Sequence, residues 1–365
     1  MDNKTKVVIS GYYGFNNIGD EAILYTMIDM LKAEIPNISI TVLSNNPQET
    51  EKTYKVKAIS RWDIRSIVKH IKECDMLISG GGSLLQDVTS WKTIPYYLGI
   101  IKIGLFYRKK VVFYSQGIGP VNRWWNRWLI KKVASKVDQI FVRESMSGKL
   151  LEEIGVNAPI SIAIDPVFGI GLKEDTNKEV KEKVSRNKKV GVYLRPWKYD
   201  KIMIESVCHS LKYLIEEDYD IYLLSMQHKP DVEVAKQVAK KLNHPKVYLV
   251  EEPLTVDETL AYTAQFDFIL SMRLHSAIMA VAVGTPIIAL SYDPKVENVM
   301  NEMGLKHAIK VEHLNDTNLL EKIKWVEGHI EEEKMIMKQM YEEKIDQIYS
   351  PILYIKKCLE RSDES

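Results

Sequence analysis

Short β-branched apolar runs alternate with helical patterns along most of this chain. In the first half the runs at 6–10, 39–43, 75–79, 110–115, 139–142 and 160–164 predict strands; in the second half those at 189–194, 220–225, 247–250, 266–270 and 286–290 do so. Strands alternating with helices are the pattern of parallel βαβ units. The rhythm breaks at Asp165-Pro166 and at Gly169 and Gly171, and residues 172–188 are polar and charged, which places a hinge near 168–188. The last fifty residues read as helical, with Ile330, Met337, Met340, Ile345 and Ile348 among their apolar positions and Pro351 as a break. The expected architecture is α/β: two Rossmann-like doubly wound domains facing a cleft, at 1–170 and 189–325, with C-terminal helices over 326–365 packing near the hinge.

Size agrees with that division, since 365 residues suffice for two cored domains. Fifty basic residues against 49 acidic ones leave a net charge of +1, so no bulk field favours nucleic acid. Cys74, Cys208 and Cys358 form no CxxC pair or zinc spacing and predict neither a disulfide scaffold nor a metal site. The polar start runs straight into a strand, so no signal peptide is expected. The longest apolar stretch, 94–107, is interrupted by Lys102 and falls short of the roughly 20 residues a membrane span needs. A cytoplasmic protein follows as the expectation, extending at most to the inner face of the cell membrane.

The chemistry concentrates at strand ends, where open α/β sheets put their ligands. The run 266–270 closes in Ser271-Met272-Arg273-Leu274-His275 and leads into a helix over 276–283; the next strand is followed by Tyr292 and Lys295. The first strand of the second half ends in Arg195-Pro196-Trp197, where proline fixes the chain as it leaves the sheet. Arg195, Arg273 and Lys295 thus cluster around His275, and cations gathered at one spot call for an anionic partner. In the first half, Gly11, Gly14 and Gly19 surround Asn16 and lead to Asp20 at a helix start; Asp20 reads equally as a helix cap and as a substrate contact. Gly80–Gly82 follow a strand and read as a cleft wall, with Gln86 and Asp87 on the next helix as candidates for hydroxyl recognition. Gln116-Gly117-Ile118-Gly119-Pro120 is a third glycine loop. Arg143 at a strand end either pairs with Glu144 or binds an anion. Trp124, Trp125 and Trp128 among arginines read either as helix core or as a membrane interface.

Taken in order, Asn16-x-x-Gly19-Asp20, Gly80–Gly82, Arg143-Glu144-Ser145, Arg273-x-His275, and Gly284-x-Pro286 with Tyr292-x-x-Lys295 resemble the polysaccharide pyruvyl transferases, most of all the bacterial CsaB-type cell-surface-anchoring enzymes. The resemblance spans most of residues 5–310 and leaves out the C-terminal helices. It implies a GT-B-like fold, phosphoenolpyruvate as donor and a hexosamine hydroxyl pair as acceptor, giving a 4,6-ketal. The CsaB likeness implies N-acetylmannosamine in a lipid-linked precursor of secondary cell wall polysaccharide, the kind that anchors an S-layer. No metal, nucleotide or other cofactor is implied.

The residues suit that chemistry. Arginine's planar fork matches a carboxylate or a phosphate, and lysine adds a point charge, so Arg143, Arg195, Arg273 and Lys295 are the expected donor-binding set. His275 is the expected acid, because an imidazolium exists near neutral pH, and Asp20 is the expected base. Asn16, Gly81, Gly82 and Gln86 are the expected acceptor contacts. Two rivals share the architecture: a GT-B nucleotide-sugar glycosyltransferase, for which Glu297 offers a ribose contact, and a two-domain anion-binding protein. Oligomeric state is not legible in the sequence.

Overall fold

The computed structural model describes residues 5–88, 90–198, 200–292, 297, 300 and 304–360. The strands are β1 (Lys6–Tyr13), β2 (Ser39–Ser44), β3 (Lys57–Ser60), β4 (Met76–Ser79), β5 (Gly82–Leu85), β6 (Lys110–Ile118), β7 (Gln139–Val142), β8 (Ile160–Ile162), β9 (Lys189–Tyr193), β10 (Asp220–Leu224), β11 (Val247–Leu249), β12 (Phe268–Ser271), β13 (Ile287–Ser291) and β14 (Ala308–Lys310). They form two parallel sheets. One has the order β3-β2-β1-β4-β6-β7-β8, with β5 added alongside β6; the other has the order β11-β10-β9-β12-β13-β14. In each sheet the first strand in sequence lies inside and the chain winds outward in both directions, the doubly wound pattern that opens a switch point at the carboxyl edge.

The chain divides into two compact units. One comprises Met1–Asn16, Asp20–Pro166 and Ile345–Ser365; the other comprises Asn17–Gly19 and Val167–Lys344. The expected group 326–365 is therefore split. Its helix Ile330–Lys344 belongs with the second sheet, as does Asp316–Gly328 before it, whereas the last helix, Tyr349–Glu360, belongs with the first. Packing accounts for this: Ile352, Ile355 and Leu359 complete the apolar layer formed by Val7, Ile9, Met76, Ile78 and Val112, and Lys356 reaches Glu34.

Central strands of the first sheet are buried on both faces. Val7 and Ile9 enter one core layer while Val8 enters the other, and Met76 and Ile78 are separated in the same way from Leu77. Side chains alternate across a strand, so a near-continuous apolar run is what a helix-covered parallel strand requires. The polar segment expected to be a hinge instead contains the helix Glu174–Lys183, attached to the second unit by Lys173 with Asp257 (2.7 Å) and by Gln265 donating to Asn177 (2.7 Å).

Candidate active site

In the second unit, strand register sets the geometry. Ser271 of β12 pairs with Tyr193 of β9, so Arg273 and Arg195 each stand two residues beyond the same rung of the sheet. Ser271 also pairs with Ala289 of β13, and Tyr292 follows that strand at the same edge. The helix Leu274–Val283 starts there with Arg273 as its N-cap, two residues earlier than expected from sequence, so His275 lies in the first turn. The turn is tied by hydroxyls: Ser271 Oγ accepts from Arg273 N at 3.0 Å, and Ser276 Oγ donates to Arg273 O at 2.7 Å. The turn opens a helix N-terminus at the sheet edge, the end of a helix whose dipole favours an anion.

The cations there are not equivalent. Arg273 donates Nε to Asp231 Oδ2 at 3.1 Å and Nη2 to Asp231 Oδ1. Asp231 is fully buried and also accepts the amides of Met226 (3.1 Å) and Gln227 (2.9 Å). Much of the Arg273 guanidinium thus braces the loop after β10 through Asp231. Arg195 differs. Its Nη1 donates to Tyr292 Oη at 2.8 Å, its Cζ lies 4.4 Å from the Tyr292 ring centroid, and its Nε is buried with no partner among the described residues. Lys295 lies outside the described residues.

His275 is half-buried, and the short segment Asn17–Gly19 belongs to its unit. Asn17 bridges to Gln227, and Ile18 N donates to Met226 O at 2.8 Å. A side chain at Gly19 would place its Cβ 2.1 Å from His275 Nδ1. This glycine is needed for close approach of backbone to imidazole.

In the first unit, Asp20 lies in the opening turn of the helix Ile18–Glu34, and its Oδ1 would lie 2.8 Å from a Cβ at Gly82, whose φ of +87° favours glycine anyway. Gly82 therefore makes room for the Asp20 carboxylate, while Gly81 packs on Ile23 of the same helix. The glycine run does not lead to a helix. It enters β5, and Gln86 and Asp87 lie in the turn after it. Gln86 Oε1 accepts from Val88 N at 2.8 Å. Asp87 is saturated by Asn122 N, Arg123 N and Asn126 Nδ2, each at 2.9 Å, and is a loop organiser. Asn16 is exposed with φ of +56°.

Arg143 is enclosed by partners. Its Nη1 donates to Asp165 at 2.6 Å, its Nε to Glu144 at 3.1 Å and its Nη2 to Ser83 at 3.2 Å, and only 5% of its side chain is exposed. Burial alone would lower the guanidinium pKa, but the two carboxylates outweigh it and the pKa is raised. Arg143 is the centre of a buried ionic cluster, and the pairing with Glu144 that its position offered is made.

Two further residues brace the first unit, Gln116 of the third glycine loop and Arg61, which sequence reasoning did not single out. Gln116 Nε2 donates to Ser79 Oγ (2.7 Å), Ser79 O (3.0 Å) and Gly80 O (2.8 Å), fixing the glycine run. Arg61, which follows β3, is buried beneath Phe15, Trp62, Tyr96 and Tyr97, with its closest ring centroid at 4.5 Å, and donates to Gly11 O at 3.2 Å. Arg61 carries no motif, and Gln116 was read only as the start of its glycine loop. Their signal was only a polar residue at or just past a strand end.

Glu297, offered to a ribose by the glycosyltransferase reading, lies 3.2 Å from Lys310 Nζ.

Similarity to known proteins follows the same lines. Among solved structures, the UDP-GlcNAc 2-epimerase from Neisseria meningitidis bound to UDP-GlcNAc matches with a TM-score of 0.65 at 14% identity, covering 98% of this chain and 100% of that one. Anabaena Alr3699/HepE, in complex with UDP and glucose, matches with a TM-score of 0.64 at 13% identity, covering 99% of each chain. At such identities the likeness establishes the GT-B-like fold. Amylovoran biosynthesis protein AmsJ of Erwinia amylovora is 23% identical over 93% of this chain and 96% of its own length. The family model for polysaccharide pyruvyl transferase matches residues 17–294, which include Asp20, Arg143, Arg195 and His275. The chain therefore belongs to the polysaccharide pyruvyl transferase family and is a pyruvyltransferase of polysaccharide synthesis.

Proposed function

We propose that this enzyme transfers the pyruvyl group of phosphoenolpyruvate to a hydroxyl pair of a hexosamine, N-acetylmannosamine, in a lipid-linked precursor of cell wall polysaccharide, forming a 4,6-ketal and releasing phosphate. The observation that carries this reading is the register of β9, β12 and β13, which delivers Arg195, the amides of the Leu274–Val283 helix and His275 to one edge of one sheet. A small dianion fits there, with a guanidinium for one charged end and helix amides for the other.

In the proposed reaction His275 donates a proton to the methylene carbon of phosphoenolpyruvate. The central carbon becomes electrophilic and takes one sugar hydroxyl. Phosphate then departs and the second hydroxyl closes the ring. Two hydroxyl protons are released; one leaves with phosphate and the other replaces the proton His275 gave. Asp20 is the proposed base for the attacking hydroxyl, with Asn16, Gly81, Gly82 and Gln86 on the acceptor side. Lys295 completes the donor set with Arg195, and Arg273 positions the turn that carries His275.

The test is incubation with phosphoenolpyruvate and a lipid-linked disaccharide, followed by mass spectrometry of the sugar and assay of free phosphate, with UDP-sugars in a parallel reaction. Pyruvylated product with stoichiometric phosphate supports the proposal. Consumption of a UDP-sugar instead would overturn it.

A further inference from the structure

The helix Trp124–Ala134 is amphipathic in an unusual sense. Ile130, Val133 and Ala134 enter the core, while Trp124, Arg127, Trp128, Lys131 and Lys132 face solvent. Those positions fall at i, i+3, i+4, i+7 and i+8, a single face of the helix. Trp124 is 78% exposed and Trp128 53%. A second segment extends the surface: Val88 is 63% exposed and Trp91 54%, and the Trp91 ring meets that of Trp125 edge-on at 6.4 Å between centroids. Cations lie on the indoles, Lys132 Nζ 4.8 Å from the Trp128 centroid and Lys92 Nζ 5.5 Å from that of Trp91.

No acidic residue occurs between Pro120 and Val137 in the sequence. The nearest carboxylate in the adjoining turn, Asp87, has no exposed side-chain surface and is taken up by Asn122, Arg123 and Asn126. Those bonds fix the chain just before the helix and so aim its tryptophan face. In a protein of net charge +1, this concentration of cations among exposed indoles is local.

We infer that this face docks on the surface of an anionic phospholipid bilayer. The indoles and Val88 enter the headgroup boundary, and Arg127, Lys131, Lys132 and Lys92 meet lipid phosphates, their long stems keeping the charges at headgroup depth. Charge complementarity names the partner class. Val88 separates it from single-stranded nucleic acid, which would use stacking rings and cations but has no use for an exposed aliphatic side chain. Attachment is peripheral, since no helix among the described residues is long and apolar enough to cross a membrane.

The experiment sediments the full chain with phosphatidylglycerol-containing vesicles or with pure phosphatidylcholine vesicles, without substrate, so its outcome is independent of the proposed reaction. Wild type is expected to pellet with the anionic vesicles only, with a blue shift of tryptophan emission. Trp124→Ala/Trp128→Ala is expected to lower partitioning about tenfold or more while keeping the wild-type thermal midpoint, because both rings are exposed. Lys131→Gln/Lys132→Gln provides a second variant, with weaker binding and a flatter salt dependence. Failure of wild type to pellet, or undiminished pelleting by the tryptophan variant, would overturn the inference. So would pelleting without a blue shift that heparin abolishes, which marks a polyanion site.

Discussion

Replacing Arg143 by Met tests the assignment of this residue to architecture. Asp165 and Glu144 have 3% and 2% of their side chains exposed, and removing the guanidinium takes its positive charge away from two buried carboxylates. Breaking a buried ion pair from one side costs about 3–5 kcal/mol, because the remaining charge stays desolvated. In a unit of roughly this size each kcal/mol moves the thermal midpoint by about 2–4 °C, so a fall of about 10 °C is expected for Arg143→Met. The assay is thermal unfolding of Arg143→Met, Asp165→Leu and the double variant. The double variant should recover part of the loss, with a coupling of about 1–3 kcal/mol, since it removes a charge of each sign. On protein still folded at low temperature, the KM for phosphoenolpyruvate should be close to wild type. A midpoint within about 2 °C of wild type, together with a large rise in that KM, would refute the reasoning and return Arg143 to the donor site.

Three further outcomes are expected. His275→Ala should abolish pyruvyl transfer with little change in unfolding midpoint; retention of most wild-type turnover would remove it from the proposed mechanism. Gly19→Ala forces a methyl to within 2.1 Å of the imidazole, so turnover should fall about 100-fold, the usual effect of a displacement near 1 Å, while far-ultraviolet circular dichroism stays unchanged. Partial burial raises the Glu21 pKa above the ordinary 4.5 despite hydrogen bonds from Tyr54 Oη and Gly14 N, each at 2.7 Å. A carboxyl with a raised folded pKa contributes stability that is present below 4.5 and lost as pH rises through the folded value. Glu21→Gln should therefore flatten the stability profile above pH 4.5, as read by urea unfolding at several pH values; an unchanged slope counts against it.

Each strand expected from apolar runs has a counterpart in the structure, because a helix-covered parallel sheet demands strands that are apolar almost throughout, and that demand is written locally. The exceptions are short: β3, β5 and β14 have three or four residues, and Gly82–Leu85 lies behind a glycine run that reads as loop. The polar helix Glu174–Lys183 was hidden for the opposite reason, since only Val180 is buried on it. Residue types at strand ends likewise singled out Arg195, Arg273 and His275, which follow β9 and β12 at one edge of the second sheet. What the sequence could not give was the partner of each charge. Arg143, Arg195 and Arg273 look alike in a string, yet Asp165 and Glu144 engage the first and Asp231 the third, while Arg195 lies against Tyr292. The return of the helix Tyr349–Glu360 to the first sheet was equally hidden. Propensity and periodicity act between near neighbours and are read one segment at a time, whereas ion pairing and core completion depend on which distant segments the folded chain brings within a few ångströms.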